Sequence, residues 1–250
     1  MIKLEISTYN IEGVKEAVML DVDRLELCDN IKEGGTTPSF GLMEAAMLCG
    51  HKNVYAIIRP RGGDFLYSDD EFDIIKRDII NAKKAGLSGV VCGCLCPDGS
   101  VDTKRTKQLV ELAKPLKFTF HRAFDMSKNH KESLKDLISI GVDTVLTSGL
   151  ENEAVEGQSV IKELVDLSRG KIEILVGGGV NASNIQELHD STKAQYYHMS
   201  ATKLVKSGMT FYNPRLSMGN IEAEEYKKVT VDCKKISKAM KLVKKLNNST

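Results

Sequence analysis

The sequence predicts an α/β fold, a (β/α)8 barrel of TIM type forming a single domain over 1–250, and three observations point to it. Short apolar runs alternate with amphipathic helical stretches along the whole chain. Eight such units fall within 250 residues, the size and rhythm of a closed barrel. Capping residues and glycines stand where the helices should start and stop. A doubly wound open sheet is the alternative. It would more often have fewer units and a nucleotide fingerprint after its first strand, and no G-x-G-x-x-G follows the first run here. No break in composition marks a second domain.

Taken in order, Ile2–Ser7 reads as a strand with Ile2, Leu4 and Ile6 toward the helices and Glu5 and Ser7 toward the lumen. Arg24–Cys28 repeats the pattern, placing Glu26 and Cys28 inside. Val54–Ile58 is a buried strand that runs straight into Arg59-Pro60-Arg61-Gly62-Gly63-Asp64. Ser68 and Glu71 form a capping-box pattern that opens a helix over Asp69–Ala85, and Gly86 stops it. Strand Gly89–Cys94, helix Thr103–Ala113 and strand Lys117–His121 follow, the last with Thr119 and His121 inside. Helix Lys131–Ile140 ends at Gly141, and strand Thr144–Ser148 comes next. Helix Glu153–Ser168 ends at Gly170, before strand Ile172–Val176. Helix Asn184–Asp190 leads to strand Tyr196–Ser200, where Tyr196, His198 and Ser200 share a face. The stretch 201–228 is long for a final connection and reads as a lid, an oligomer contact or a packing arm. Residues 229–246, with Val231, Ile236, Met240, Val243 and Leu246, read as a closing helix.

Composition narrows the function classes. A hydrophobic fraction of 42%, a charged fraction of 28% and a net charge of +1 fit a soluble globular protein and argue against a nucleic-acid surface. No apolar run approaches the roughly 20 residues that span a bilayer, and Met1-Ile2-Lys3-Leu4-Glu5 does not read as a signal peptide. Six cysteines, three of them at alternate positions, do not form a disulfide-framework pattern, so the expected compartment is the cytoplasm. A homodimer or higher homo-oligomer is expected.

The polar residues that alternation sends inward converge at the strand C-termini, where barrels of this type place their active sites. Arg59 and Arg61 offer rigid donor forks suited to phosphate or carboxylate. Gly177-Gly178-Gly179, followed by Val180-Asn181 opening a helix, has the form of half a phosphate site, with free N–H groups meeting an anion. Ser200 would supply the other half and Ser148 a further hydroxyl, so Ser148, Gly178, Gly179 and Ser200 are the anion-binding candidates. An unperturbed imidazole titrates near neutrality, which makes His121 the acid/base candidate. Glu26 could abstract a proton or hold His121 in one tautomer, and Asp125, just past strand 5, joins Glu26, Arg59, Arg61 and His121 as a catalytic candidate.

Plainer readings stand beside these. Charges inside a barrel often form ion-pair networks that only satisfy one another, and a glycine triplet also makes a tight turn. His51, His130 and His189 fall on helix ends or polar faces and read as solvated. Cys92, Cys94 and Cys96 would share a strand face and could hold a soft metal, but buried cysteine is also a small apolar filler, which is the favoured reading.

Several blocks resemble the signatures of the CutC family: Glu26-Leu27-Cys28, Glu33-Gly34-Gly35-Thr36-Thr37-Pro38-Ser39, Ile58–Ser68, Thr119–Met126, Val145–Gly149 and Gly177–Val180. The likeness continues through Leu216-Ser217-Met218 and Glu225-Tyr226 to Thr230-Val231-Asp232. It implies a TIM-type barrel in the cytoplasm and a role in copper homeostasis or copper ion binding, with no settled reaction and copper as the only implied cofactor. Copper ligation in the family has been placed on two cysteines ending strands 1 and 2. The second matches Cys28. Ser7 stands at the first, and a hydroxyl does not replace a thiolate for Cu(I). The rim chemistry supports a different class, an enzyme of lyase or isomerase type acting on a small phosphorylated or carboxylated metabolite.

Overall fold

A computed structural model describes residues 1–216, 218 and 225–248. Eight parallel strands close in sequence order: β1 (Lys3–Thr8), β2 (Arg24–Leu27), β3 (Val54–Ile57), β4 (Gly89–Cys92), β5 (Lys117–Phe120), β6 (Thr144–Thr147), β7 (Glu173–Val176) and β8 (Tyr196–Met199). β8 pairs with β1 through Glu5↔His198 and Ile6↔Met199, which shuts the ring. Helices α1 (Ile11–Met19), α2 (Phe40–Leu48), α3 (Asp69–Lys84), α4 (Thr103–Ala113), α5 (His130–Ile140), α6 (Gln158–Ser168) and α7 (Ile185–Thr192) connect successive strands. The predicted (β/α)8 barrel is the observed architecture.

Local chemistry sets the ends of these helices. Ser68 and Glu71 form the reciprocal capping box at the start of α3. Asn10, Ser39, Asp102 and Asn129 each accept a backbone N–H at the start of α1, α2, α4 and α5. Gly141 takes a left-handed conformation at the end of α5, as its position predicts.

Alternation divides the strand residues as the pattern requires. Leu4, Ile6, Leu25, Leu27, Phe118, Phe120 and Tyr197 join the core between strands and helices. Tyr55, Ile57, Val91, Leu146 and Leu175 are buried outside that core, in the lumen. Lumen packing makes demands of its own: a Cβ at Gly89 would overlap the Tyr55 ring.

Four expectations are corrected. Residues 229–231 are not helical: β9 (Thr202–Lys206) and β10 (Lys227–Val231) form an antiparallel pair, and α8 (Cys233–Asn248) starts after it. Alternating Val229 and Val231 suit a strand as well as a helix, and the pairing with β9 decides. Within the long connection 201–228, residues 217 and 219–224 lie outside the described residues, so Ser217 of the resemblance is not placed. Helix α6 starts at Gln158 rather than Glu153, because Gly149 and Gly157 pack closely and hold 149–157 as a loop. β4 stops at Cys92, where Leu95 turns away to donate to the Phe65 carbonyl at 2.9 Å. Finally, α7 starts at Ile185, so Val180-Asn181 opens a side-chain-braced turn and not a helix.

Candidate active site

A cavity of about 230 Å3 opens at the C-terminal mouth of the barrel, between the exits of β1, β2, β3, β5, β7 and β8. Glu26, Cys28, Arg59, His121, Gly178, Gly179 and Ser200 of the expected set line it, and His198 and Tyr9 join them.

Its lower part is built on β1, β2 and β8. The pairing Ser7↔Glu26 and Glu5↔His198 brings two carboxylates and an imidazole into neighbouring lumen positions. His198 Nδ1 lies 2.6 Å from Glu5 Oε1 and 3.9 Å from Glu26 Oε2. Glu5 also accepts from Arg24 Nε, and the Arg24 guanidinium stacks 4.4 Å from the Tyr55 ring. Burial alone would raise the Glu5 pKa, but Arg24 and His198 outweigh it and hold this carboxylate ionised. Burial dominates at Glu26, with Glu5 adding to it, and lifts its carboxyl to about 7 despite His198 and Arg24. For His198, burial opposes the charged ring, yet the hydrogen bond to Glu5 and the charge of Glu26 raise its pKa. With Nδ1 engaged, Nε2 is the ring nitrogen with no protein partner among the described residues.

Strand alternation already put Glu5 in the lumen and His198 on one face with Ser200, yet neither entered the candidate set. The signal that could have found them is the closure itself. In an eight-stranded ring strand 8 must pair with strand 1, so an inward Glu and an inward His on those strands become neighbours.

The opposite wall is the β7 exit. Gly178 and Gly179 take φ of +101° and +68°, a backbone closed to most other residues. Their N–H groups have no protein acceptor among the described residues, whereas Gly177 N–H is used by the Thr147 carbonyl. Two free donors at the cavity edge suit an anionic oxygen.

Three expected residues are placed elsewhere. Arg61 does not line the cavity: its guanidinium braces the following loop, bonding Glu71, the Asp64 side chain and the carbonyls of Gly62, Asp64 and Leu66. Pro60 and the glycine pair turn it outward onto the start of α3. Asp125 is not a cavity residue either. It accepts from Arg122 Nε, Thr147 Oγ1, Ser148 N and Leu150 N and lies 3.0 Å from Ser148 Oγ. The Ser148 hydroxyl, fully buried, is used by Arg122, Asp125 and the Glu151 carbonyl, so it is closed to an anion. Arg59 does reach the cavity, but its two terminal nitrogens hold the carbonyls of Glu33, Gly35 and Gly63, with Nε left without a partner among the described residues. His51, His130 and His189 are half-buried and hydrogen-bonded to Val22 O, Glu163 and Ala194 O, rather than freely solvated.

The sulfurs do not assemble a soft-metal site. A Cβ at Gly93 would strike the His121 ring, so Gly93 faces the lumen, and Cys92 and Cys94 lie in the core on the other face. Cys96 sits in the following turn. Cys28 alone reaches the cavity, and burial together with the adjacent Glu26 pushes its thiol pKa well up. Cu(I) prefers thiolate, so this donor set does not fit it. Among the described residues Glu5, Glu26 and His198 are the only group of three or more His, Cys, Asp or Glu with ligand atoms mutually within 4.8 Å. Arg24 and the imidazole already balance its charge, so it offers little net negative charge to a cation.

The family model for the CutC family matches residues 2–203. The chain belongs to the CutC family. Relatives agree along nearly the whole length: a human protein named copper homeostasis protein cutC homolog is 38% identical over 93% of this chain and 86% of its own. A CutC family protein of Bacteroides fragilis is 41% identical over 93% of both chains. The crystal structure of a CutC protein from Streptococcus agalactiae superposes with a TM-score of 0.75 at 36% identity, covering 79% of this chain and 98% of that one. Phosphoribosylanthranilate isomerase from Thermotoga maritima, at 12% identity and a TM-score of 0.59, shares the barrel fold with this CutC chain. No helix among the described residues is long and apolar enough to cross a membrane.

Proposed function

We propose that this CutC-family chain is an enzyme of lyase or isomerase type that moves protons on a small phosphorylated or carboxylated metabolite. The observation that carries the reading is the pair Glu26 and His198 in the wall of the mouth cavity. Glu26, with a pKa of about 7, can take a proton near neutral pH. His198, oriented by Glu5 and held toward its protonated form, can return one from Nε2. The free amides of Gly178 and Gly179, with Ser200, take the anionic group, and Arg59 adds positive charge to the same cavity.

A panel of small phosphorylated and carboxylated carbonyl compounds, incubated with the protein in D2O, tests this. At least one should stabilise the fold saturably and gain deuterium beside its carbonyl. Glu26→Gln should slow that exchange by about 10²–10⁴-fold. No saturable stabilisation by any member, or exchange untouched by Glu26→Gln, overturns the reading.

The relatives' names favour a second reading, copper homeostasis or copper ion binding, with Cys28 as the one cavity thiol. We further propose a cytoplasmic location, supported by six free cysteines and no disulfide. We also propose a homo-oligomer, supported by exposed Met209, Phe211 and Tyr212 on the β9–β10 arm. Light scattering checks the oligomer.

A further inference from the structure

His121 was expected to carry protons, but its surroundings forbid that. The backbone N–H of Ala123 donates to His121 Nδ1 at 3.2 Å, so Nδ1 is an acceptor and holds no proton. A neutral ring then carries its hydrogen on Nε2. That nitrogen is buried and has no partner among the described residues. A Cβ at position 93 would come within 2.8 Å of Nδ1, so Gly93 makes the slot, and the Phe65 ring stands 4.8 Å away, centroid to centroid. Burial and the neighbouring Arg59 push the ring's pKa down to about 3, which keeps it neutral through the physiological range.

A buried N–H without an acceptor costs about 1–3 kcal/mol, and a fold rarely keeps one without use. Capping alone does not call for histidine. Asn or Ser at this position would accept the Ala123 N–H equally well and leave no orphan. Arg59 Nε, also donor-only and unpartnered, belongs to the same cavity wall.

We propose that His121 donates Nε2–H to an oxygen of the bound substrate, and that this substrate is a carbonyl compound whose oxygen becomes enolate-like as Glu26 removes a proton from the adjacent carbon. The C–H bond breaks toward Glu26, its electron pair moves onto the carbonyl, and the negative oxygen is met by a neutral imidazole that gives a hydrogen bond and keeps its proton. His121 is thus a hydrogen-bond donor in a fixed tautomer, and the proton carriers are on the other side of the cavity. This inference rests on the enzymatic reading above and names its substrate class.

Oxalate, a planar dianion with the oxygen arrangement of an enediolate, is the probe. Histidine 15N spectra of the whole chain between pH 5 and 8 should show His121 as the non-titrating Nε2–H form. Oxalate should move the His121 N–H resonance. His121→Asn keeps the cap acceptor and loses the far donor, so it should fold normally and bind oxalate about ten- to a hundredfold more weakly. His121→Gln, which reaches further, should recover part of that loss. A His121 ring that titrates between pH 5 and 8, or His121→Asn binding oxalate as wild type does, overturns the inference and leaves the enzymatic reading standing. No oxalate binding to wild type overturns the substrate class named here, whereas the D2O panel decides the enzymatic reading separately.

Discussion

On the β1–β2–β8 side of the mouth, Glu26 and His198 border the cavity and His198 Nε2 is left free. On the β5–β6 side, Arg122, Asp125, Thr147 and Ser148 turn nearly every polar atom toward one another. Both sets sit at strand ends, and both are rich in polar groups. The difference is saturation. A knot of satisfied hydrogen bonds stiffens the β6 exit, while a partly satisfied one retains capacity for a ligand. Convergence of polar residues therefore locates a barrel mouth, and leftover donors and acceptors mark where it retains capacity for a ligand.

The sharpest way to break the comparison is Asp125→Ala. If the knot is structural, removing its central carboxylate leaves the buried Thr147 hydroxyl and Ser148 N–H without an acceptor, at about 1–3 kcal/mol each, measured by urea unfolding, while the half-exposed Arg122 adds little. A small loss of stability with a large loss of ligand binding would move Asp125 back into the site.

Glu26→Gln sharpens the other side. Because the fold raises the Glu26 pKa from 4.5 to about 7, it favours the protonated form. Stability from this group is complete below pH 4.5 and is lost as pH rises from there through 7. The neutral amide escapes that loss, so the variant should gain about 3 kcal/mol relative to wild type between pH 4 and 8. Parallel stability–pH curves would show that Glu26 ionises as an ordinary surface carboxylate does.

Arg61→Ala should do less. Arg61 and Asp64 are exposed and Glu71 is half-buried, so the cost is at most ~1 kcal/mol, and anion binding in the cavity should be unchanged by calorimetry. Smallest of all is Cys28→Ser under anaerobic Cu(I) titration with a competing chelator, where affinity should move by less than about threefold. Tight stoichiometric binding lost in that variant would favour the copper reading over the enzymatic one.

Much of this was legible before any coordinates. Period-two alternation put Glu5, Glu26 and His121 inside the barrel, and the Ser68/Glu71 box and Gly141 marked helix ends, because each depends on neighbours a few residues away. The function of Arg61, Asp125 and Ser148 was not legible. Whether a guanidinium or hydroxyl remains free depends on partners that only the closed ring brings near, such as Glu151 O for Ser148. His121 shows the same limit from the other direction: its residue type announces a titrating group, and its slot beside Gly93 and Arg59 removes the titration. The β10 strand was missed because its identity lies in pairing with β9, some twenty residues earlier.

The Glu5–His198 bond joins residues 193 apart, across the seam where the last strand meets the first. A ribosome making this chain therefore releases β1 long before its partner exists, and the growing polypeptide carries Glu5 and Glu26 without the imidazole that completes them. The Glu5–His198–Glu26 cluster, and with it the proton-transfer site proposed above, exists only once the ring shuts.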